Sequence, residues 1–126
     1  MKIKITLLII ALNLSFCVSS FAASYYISPT GSNTNAGTNT APWATFVYAF
    51  SRMSGGDTLI LNDGTYYQRM LNPPSGSADN YTIIKAEHDG MAIIDGRYAT
   101  GQYISTIDIS NRSYFQLEGL KVTSGG

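Results

Sequence analysis

Cysteine is almost missing from this chain: Cys17 is the only one in 126 residues. Neither an intrachain disulfide framework nor a thiolate metal site can therefore form. Histidine is equally rare. His88 has no second histidine to work with, which excludes the paired-histidine metal centres. Charged residues make up only 13% of the chain, 8 basic against 8 acidic, and no basic stretch follows Lys2 and Lys4. Nucleic acid is not an expected partner on that distribution. The apolar run near the start falls short of the ~20 residues that a membrane-spanning helix needs. Nine tyrosines, 12 glycines and frequent Asn, Ser and Thr are present instead. That composition suits a strand-rich extracellular protein with many turns.

The first residues read as a leader rather than as part of a fold. Lys2 and Lys4 precede an apolar run from Ile5 to Leu14, and Ser20-Phe21-Ala22 places small residues where a signal peptidase reads them. A signal peptide over residues 1–22, cleaved after Ala22, is expected, with the product secreted or periplasmic and holding no stable membrane span. Phe16 ahead of Cys17 is too bulky for a lipoprotein signal. Loss of Lys2 and Lys4 leaves 6 basic against 8 acidic residues, a net charge of −2. At the other end, Ser124-Gly125-Gly126 follows directly on a strand, without the cap that natural solenoids place over an open coil. Residues 23–126 are accordingly expected to be the N-terminal part of a longer domain or a truncated gene product.

Between those ends, apolar residues recur at a fixed interval. Leu61, Ile84 and Ile107 are 23 apart, as are Leu71, Ile94 and Leu117, and Asp95-Gly96 returns as Glu118-Gly119. Periods of this size mark solenoids, whose units bury their apolar sides only by stacking. The segments are short strands and turns with no room for a helix in each repeat. The expected fold is thus all-β, a parallel β-helix of about 23 residues per coil, with a leucine-rich repeat as the runner-up. Thr82, Ile84 and Ala86 form one face of a strand, Tyr81, Ile83 and Lys85 the other. At Gly119 the alternation slips by one, so that Phe115 and Leu117 point inward before it and Leu120 and Val122 after it. A glycine at such a slip predicts a corner. One helix is predicted, from Pro42 to about Met53, with Trp43, Phe46, Val47 and Phe50 on its core-facing stripe. The Gly-, Ser-, Asn- and Thr-rich stretch from Thr30 to Thr40 predicts a surface loop.

Tyr26-Ile27-Ser28-Pro29, Ala41-Pro42-Trp43, Gly56-Asp57-Thr58 and Asp63-Gly64-Thr65-Tyr66 together resemble the N-terminal module of secreted right-handed parallel β-helix proteins of the pectate-lyase superfamily. Family-nine polysaccharide lyases and their uncharacterised relatives are the most similar, and Thr82 to Ala86 and Ile94-Asp95-Gly96 resemble their second coil. The resemblance runs from Tyr25 to Val122. It implies a right-handed coil capped by the helix, and a parent acting by β-elimination on an acidic polysaccharide such as pectate, with Ca2+ as cofactor. A non-catalytic glycan-binding or surface-display β-helix is the alternative. The residues needed for elimination, a catalytic base and calcium-binding aspartates, lie in later coils of such lyases, so the resemblance places no catalytic residue here. The chain by itself is expected to be non-catalytic and to hold no cofactor. Calcium wants about six converging oxygen ligands, whereas most acids here sit at turns beside glycine, where carboxylates stabilise the turn. Asp95 and Glu118, expected one coil apart, are the candidate metal pair. Arg97 and Arg112 are candidate uronate binders, and Lys85 is expected to face Asp108.

Overall fold

The computed structural model describes residues 21–97 and 105–123. The expected leader lies outside them except for Phe21 and Ala22, as do Ser124, Gly125 and Gly126. The elements run β1 (Ser24–Ile27), α1 (Phe46–Arg52), β2 (Thr58–Leu61), β3 (Gly64–Tyr66), β4 (Met70–Leu71), β5 (Thr82–Ala86), β6 (Ala92–Asp95), β7 (Ile107–Asp108), β8 (Phe115–Glu118) and β9 (Leu120–Thr123). All pairings between these strands are parallel, in three sheets ordered β1-β2-β5-β8, β3-β6-β9 and β4-β7. Consecutive strands thus pass from sheet to sheet, and each coil lies on the one before it. This is a parallel β-helix. Among the described residues no helix is long and apolar enough to cross a membrane.

The interval of 23 does not describe the stack. Leu59 lies opposite Ile84, 25 residues on, and Leu61 opposite Ala86. In the second sheet Tyr66 lies opposite Ile94 and Ile94 opposite Val122, both intervals of 28. Ile84 lies opposite Leu117, an interval of 33, while Ile107 belongs to the third sheet and faces Met70. Neither predicted column is therefore a column. Register is fixed only along the strands, and the loops between sheets, of unequal length, absorb the difference.

Alternation within the strands holds. Thr82, Ile84 and Ala86 are buried, while Ile83 and Lys85 are only partly so. Ile27, Leu59, Leu61, Tyr66, Met70, Ile84, Ala92 and Ile94 fill the interior, with Phe46, Ala49 and Met53 of the helix region closing it. Corners form where the sheet changes. Gly64 and Gly119 adopt left-handed φ values of 135° and 64°, which a side chain would strain. At Gly119 an added Cβ would also meet Asp89 Oδ1. Phe115 and Leu117 continue the inward column of β5, and Leu120 and Val122 that of β6. They stay more exposed because no described coil lies over them.

The helix is shorter than predicted. Thr45 is its N-cap and accepts a hydrogen bond from the Tyr48 amide; Pro42 and Trp43 precede it, and Trp43 bridges Ile27 as an extension of the sheet. Val47 is exposed, whereas Phe46 is buried as predicted, Phe50 packs against the core, and Ala49 is buried as well. The polar loop is not merely surface. Gly37 is buried against the Trp43 ring. Asn33 Oδ1 accepts from the Ala44 and Thr45 amides, and the Asn35 carbonyl accepts from Trp43 Nε1 at 2.8 Å. Its side chains and carbonyls supply the partners that the entry to the helix lacks.

Candidate functional site

The end of β3 begins the site. Tyr66 points inward, its hydroxyl donating to the Ile27 and Asn62 carbonyls; burial first, then the Asp63 and Glu87 charges, push its pKa up. Alternation turns Tyr67 outward, half exposed on the wall of the helix. Arg69 follows on the outer side while Met70 returns to the core. One coil later, β6 ends in Asp95 and Gly96 follows it. Tyr67, Gln68, Arg69, Asp95 and Gly96 line a shallow cleft there.

Asp95 is buried and both its oxygens are used by Arg97: Oδ1 accepts from the Arg97 amide at 3.0 Å and Oδ2 from Nη2 at 2.9 Å. That pairing holds the guanidinium 5.7 Å from the centre of the Tyr67 ring, within reach of a cation–π contact. Arg69 donates Nε to the Ser105 carbonyl, a bond that fixes its stem without neutralising its charge. Gln68 has a different task. Its Oε1 accepts from the Phe46 amide and its Nε2 donates to the Ala44 carbonyl, tying the cleft to the start of the helix. The wall thus offers an aromatic ring and two guanidinium groups in fixed positions.

The predicted metal pair is not brought together. Asp95 lies opposite Thr123 in the second sheet, and Glu118 opposite Lys85 in the first. With Asp95 committed to Arg97, these residues do not assemble a calcium shell. Lys85 likewise faces Glu118 rather than Asp108. Asp108 sits in the third sheet, where the side chain and amide of Ser110 hold its carboxyl below the usual value and Arg69 adds a smaller effect. Arg112 lies in a turn, its amide bonded to the Ile109 carbonyl. His88, without a histidine partner, has a carboxylate one: Nδ1 is 3.0 Å from Asp63 Oδ1. The hydrogen bond with Asp63 and that group's charge raise its pKa, with Glu87 adding to them. Asp63, Glu87 and His88 present three donor atoms within 4.8 Å of one another, all exposed on the corner between the first two sheets.

Residues 25–126 match the family described as the Pel9A-like, right-handed β-helix region. The chain belongs to this Pel9A-like family. Two relatives of known sequence are similar. Pectate lyase PEL9 of Emericella nidulans is 34% identical over 82 residues, which cover 64% of this chain and 20% of that protein. Uncharacterized protein YwoF of Bacillus subtilis is 27% identical over 99 residues, 77% of this chain and 21% of that one. The chain thus spans about a fifth of the relatives it matches. Among solved structures, the GH136 lacto-N-biosidase from Eubacterium ramulus superposes with a TM-score of 0.68 at 17% identity, covering 82% of this chain and 21% of that one. A rhamnogalacturonan lyase does so with a TM-score of 0.59 at 23% identity, covering 80% and 28%. At those identities the likeness is of fold.

Within this Pel9A-like coil, sequence reasoning found Arg97 but missed Tyr67 and Arg69. Their signal was available in the alternation after Tyr66. What was missing was the interval of 28, which places Tyr67 level with Asp95.

Proposed function

We propose that this chain forms the first coils of an exported β-helix protein that handles an acidic polysaccharide of the pectate kind, and that it contributes contacts to the glycan rather than chemistry. The observation that carries this reading is the cleft lined by Tyr67 and Arg69, with Arg97 held beside it by Asp95. Guanidinium groups bind carboxylates through paired, charge-assisted hydrogen bonds, and the half-exposed Tyr67 ring adds apolar contact beside them. The similarity to a pectate lyase supports an acidic glycan over a neutral one. The one carboxylate lining the cleft, Asp95, is held by Arg97 and so is not free to remove a proton from a bound sugar.

Titration calorimetry of the full chain with oligogalacturonate, and with a neutral xylo-oligosaccharide of equal length, tests this. Binding of the acidic ligand is expected to weaken as salt is raised. Arg69→Ala and Arg97→Ala are each expected to reduce it by about tenfold, the loss of one charged hydrogen bond. Equal affinity for both ligands, or unchanged binding in both variants, would sink the proposal.

A further inference from the structure

Asp57 lies in the turn between α1 and β2 and is almost wholly buried, with a relative exposure of 6%. Its Oδ2 accepts from the Ser54 amide at 2.8 Å and its Oδ1 from the Ala23 amide at 2.9 Å, 34 residues away. Among the described residues no Lys, Arg or His side chain pairs with it. A buried carboxylate held only by neutral donors is costly, because its charge has left water without meeting an opposite one. Ala23 is held from both sides, since its carbonyl also accepts from the Thr58 amide at 2.8 Å. Phe21 and Ala22 just before it are exposed. The nitrogen facing Asp57 is thus the atom that cleavage after Ser20-Phe21-Ala22 would convert to a chain terminus.

We propose that the Ala22–Ala23 bond is a processing site and that the ammonium released there completes Asp57 as a buried ion pair, fastening β1 to the edge of the first sheet. Hydrolysis breaks the bond between the Ala22 carbonyl carbon and the Ala23 nitrogen. Water supplies the hydroxyl to Ala22 and a proton to Ala23; the amine, with an ordinary pKa of about 8, takes a second proton from solvent at neutral pH. A leader peptidase of the host is the catalyst. Before cleavage Asp57 has an amide; afterwards it has a cation at the same position. Further along, β1 is held on one edge by β2 and on the other by Gly37 and Trp43, so the ion pair acts on the start of the strand. The inference rests on the export reading but not on the glycan, and its test uses no sugar.

The full chain is exported to the periplasm of a bacterial host, and the product is examined by N-terminal sequencing and thermal melting. Ala23 is expected as the first residue. A glycine inserted between Ala22 and Ala23 moves the ammonium ~3.8 Å along the chain and is expected to lower the melting temperature by about 5 °C. Asp57→Asn should lower it similarly, and combining the two should add little, as expected for one shared interaction. A product beginning elsewhere, an unchanged melt on insertion, or fully additive losses would each overturn the proposal. If Asp57→Asn does not fold, the insertion alone decides.

Discussion

His88 shows how one neighbour sets a residue's behaviour at a corner of the coil. Because the hydrogen bond with Asp63 favours the protonated ring, its folded pKa lies above the ordinary 6.5. The sign follows: the pair's contribution is present below the unfolded pKa and fades as pH rises through the folded one. Both side chains are exposed, so the effect belongs in a titration and not in a melting curve. Asp63→Asn is expected to bring the His88 pKa down toward 6.5, followed by the ring-proton shifts in NMR. An unchanged midpoint would show that the pair does not persist in solution. Asp63 and His88 are 25 residues apart, the interval of the β2–β5 register. Read with the interval of 23, the sequence places them out of step, so the carboxylate partner of His88 was not legible. The same error misplaced the metal pair: Asp95 and Glu118 fit an interval of 23 that no sheet uses.

At the scale of the strand and the corner, more was legible. Alternation identified Thr82, Ile84 and Ala86 as the inward set because burial on one face leaves a period of two in the residue types. Gly119 was readable as a corner because its phase slip leaves the same kind of trace. The helix start was not, since its N-cap depends on Asn33 and Gln68, which lie 12 residues before Thr45 and 22 after Phe46. Two comparisons test the stack. Ile84→Ala should destabilise the fold by about 2–5 kcal/mol, as a fully buried aliphatic side chain between Leu59 and Leu117. Leu117→Ala, on a face that no described coil covers, should cost less than about 1 kcal/mol. Chemical denaturation of both variants measures the difference, and equal losses would mean that Leu117 is covered in solution. Gly119→Ala should cost at least ~1 kcal/mol from its left-handed backbone alone, with the same measurement as the check.

For the whole molecule, the question is what coils that span about a fifth of the relatives' length can do. The fold is present: strands stack in three parallel sheets, the helix closes one end, and a cationic cleft runs along the wall. β-Elimination asks for more than a surface that holds the glycan. A base must reach the proton beside the uronate carboxyl, and a cation must stabilise the negative charge that develops as it leaves. Four of the eight described carboxylates are held in different tasks: Asp57 faces the Ala23 amide, Asp63 pairs with His88, Asp95 holds Arg97, and Asp108 caps Ser110. Of these only Asp95 lines the cleft, and it is bonded to Arg97. We therefore expect this chain, incubated with pectate with and without calcium, to give no rise in the ultraviolet absorbance of unsaturated uronate ends, even where calorimetry shows binding. Calcium-dependent turnover lost in Asp95→Ala would show instead that Asp95 leaves Arg97 for the metal when substrate arrives. Turnover unaffected by that change but lost in His88→Ala would place the chemistry at the Asp63–Glu87–His88 corner, on a different face from the one the arginines mark.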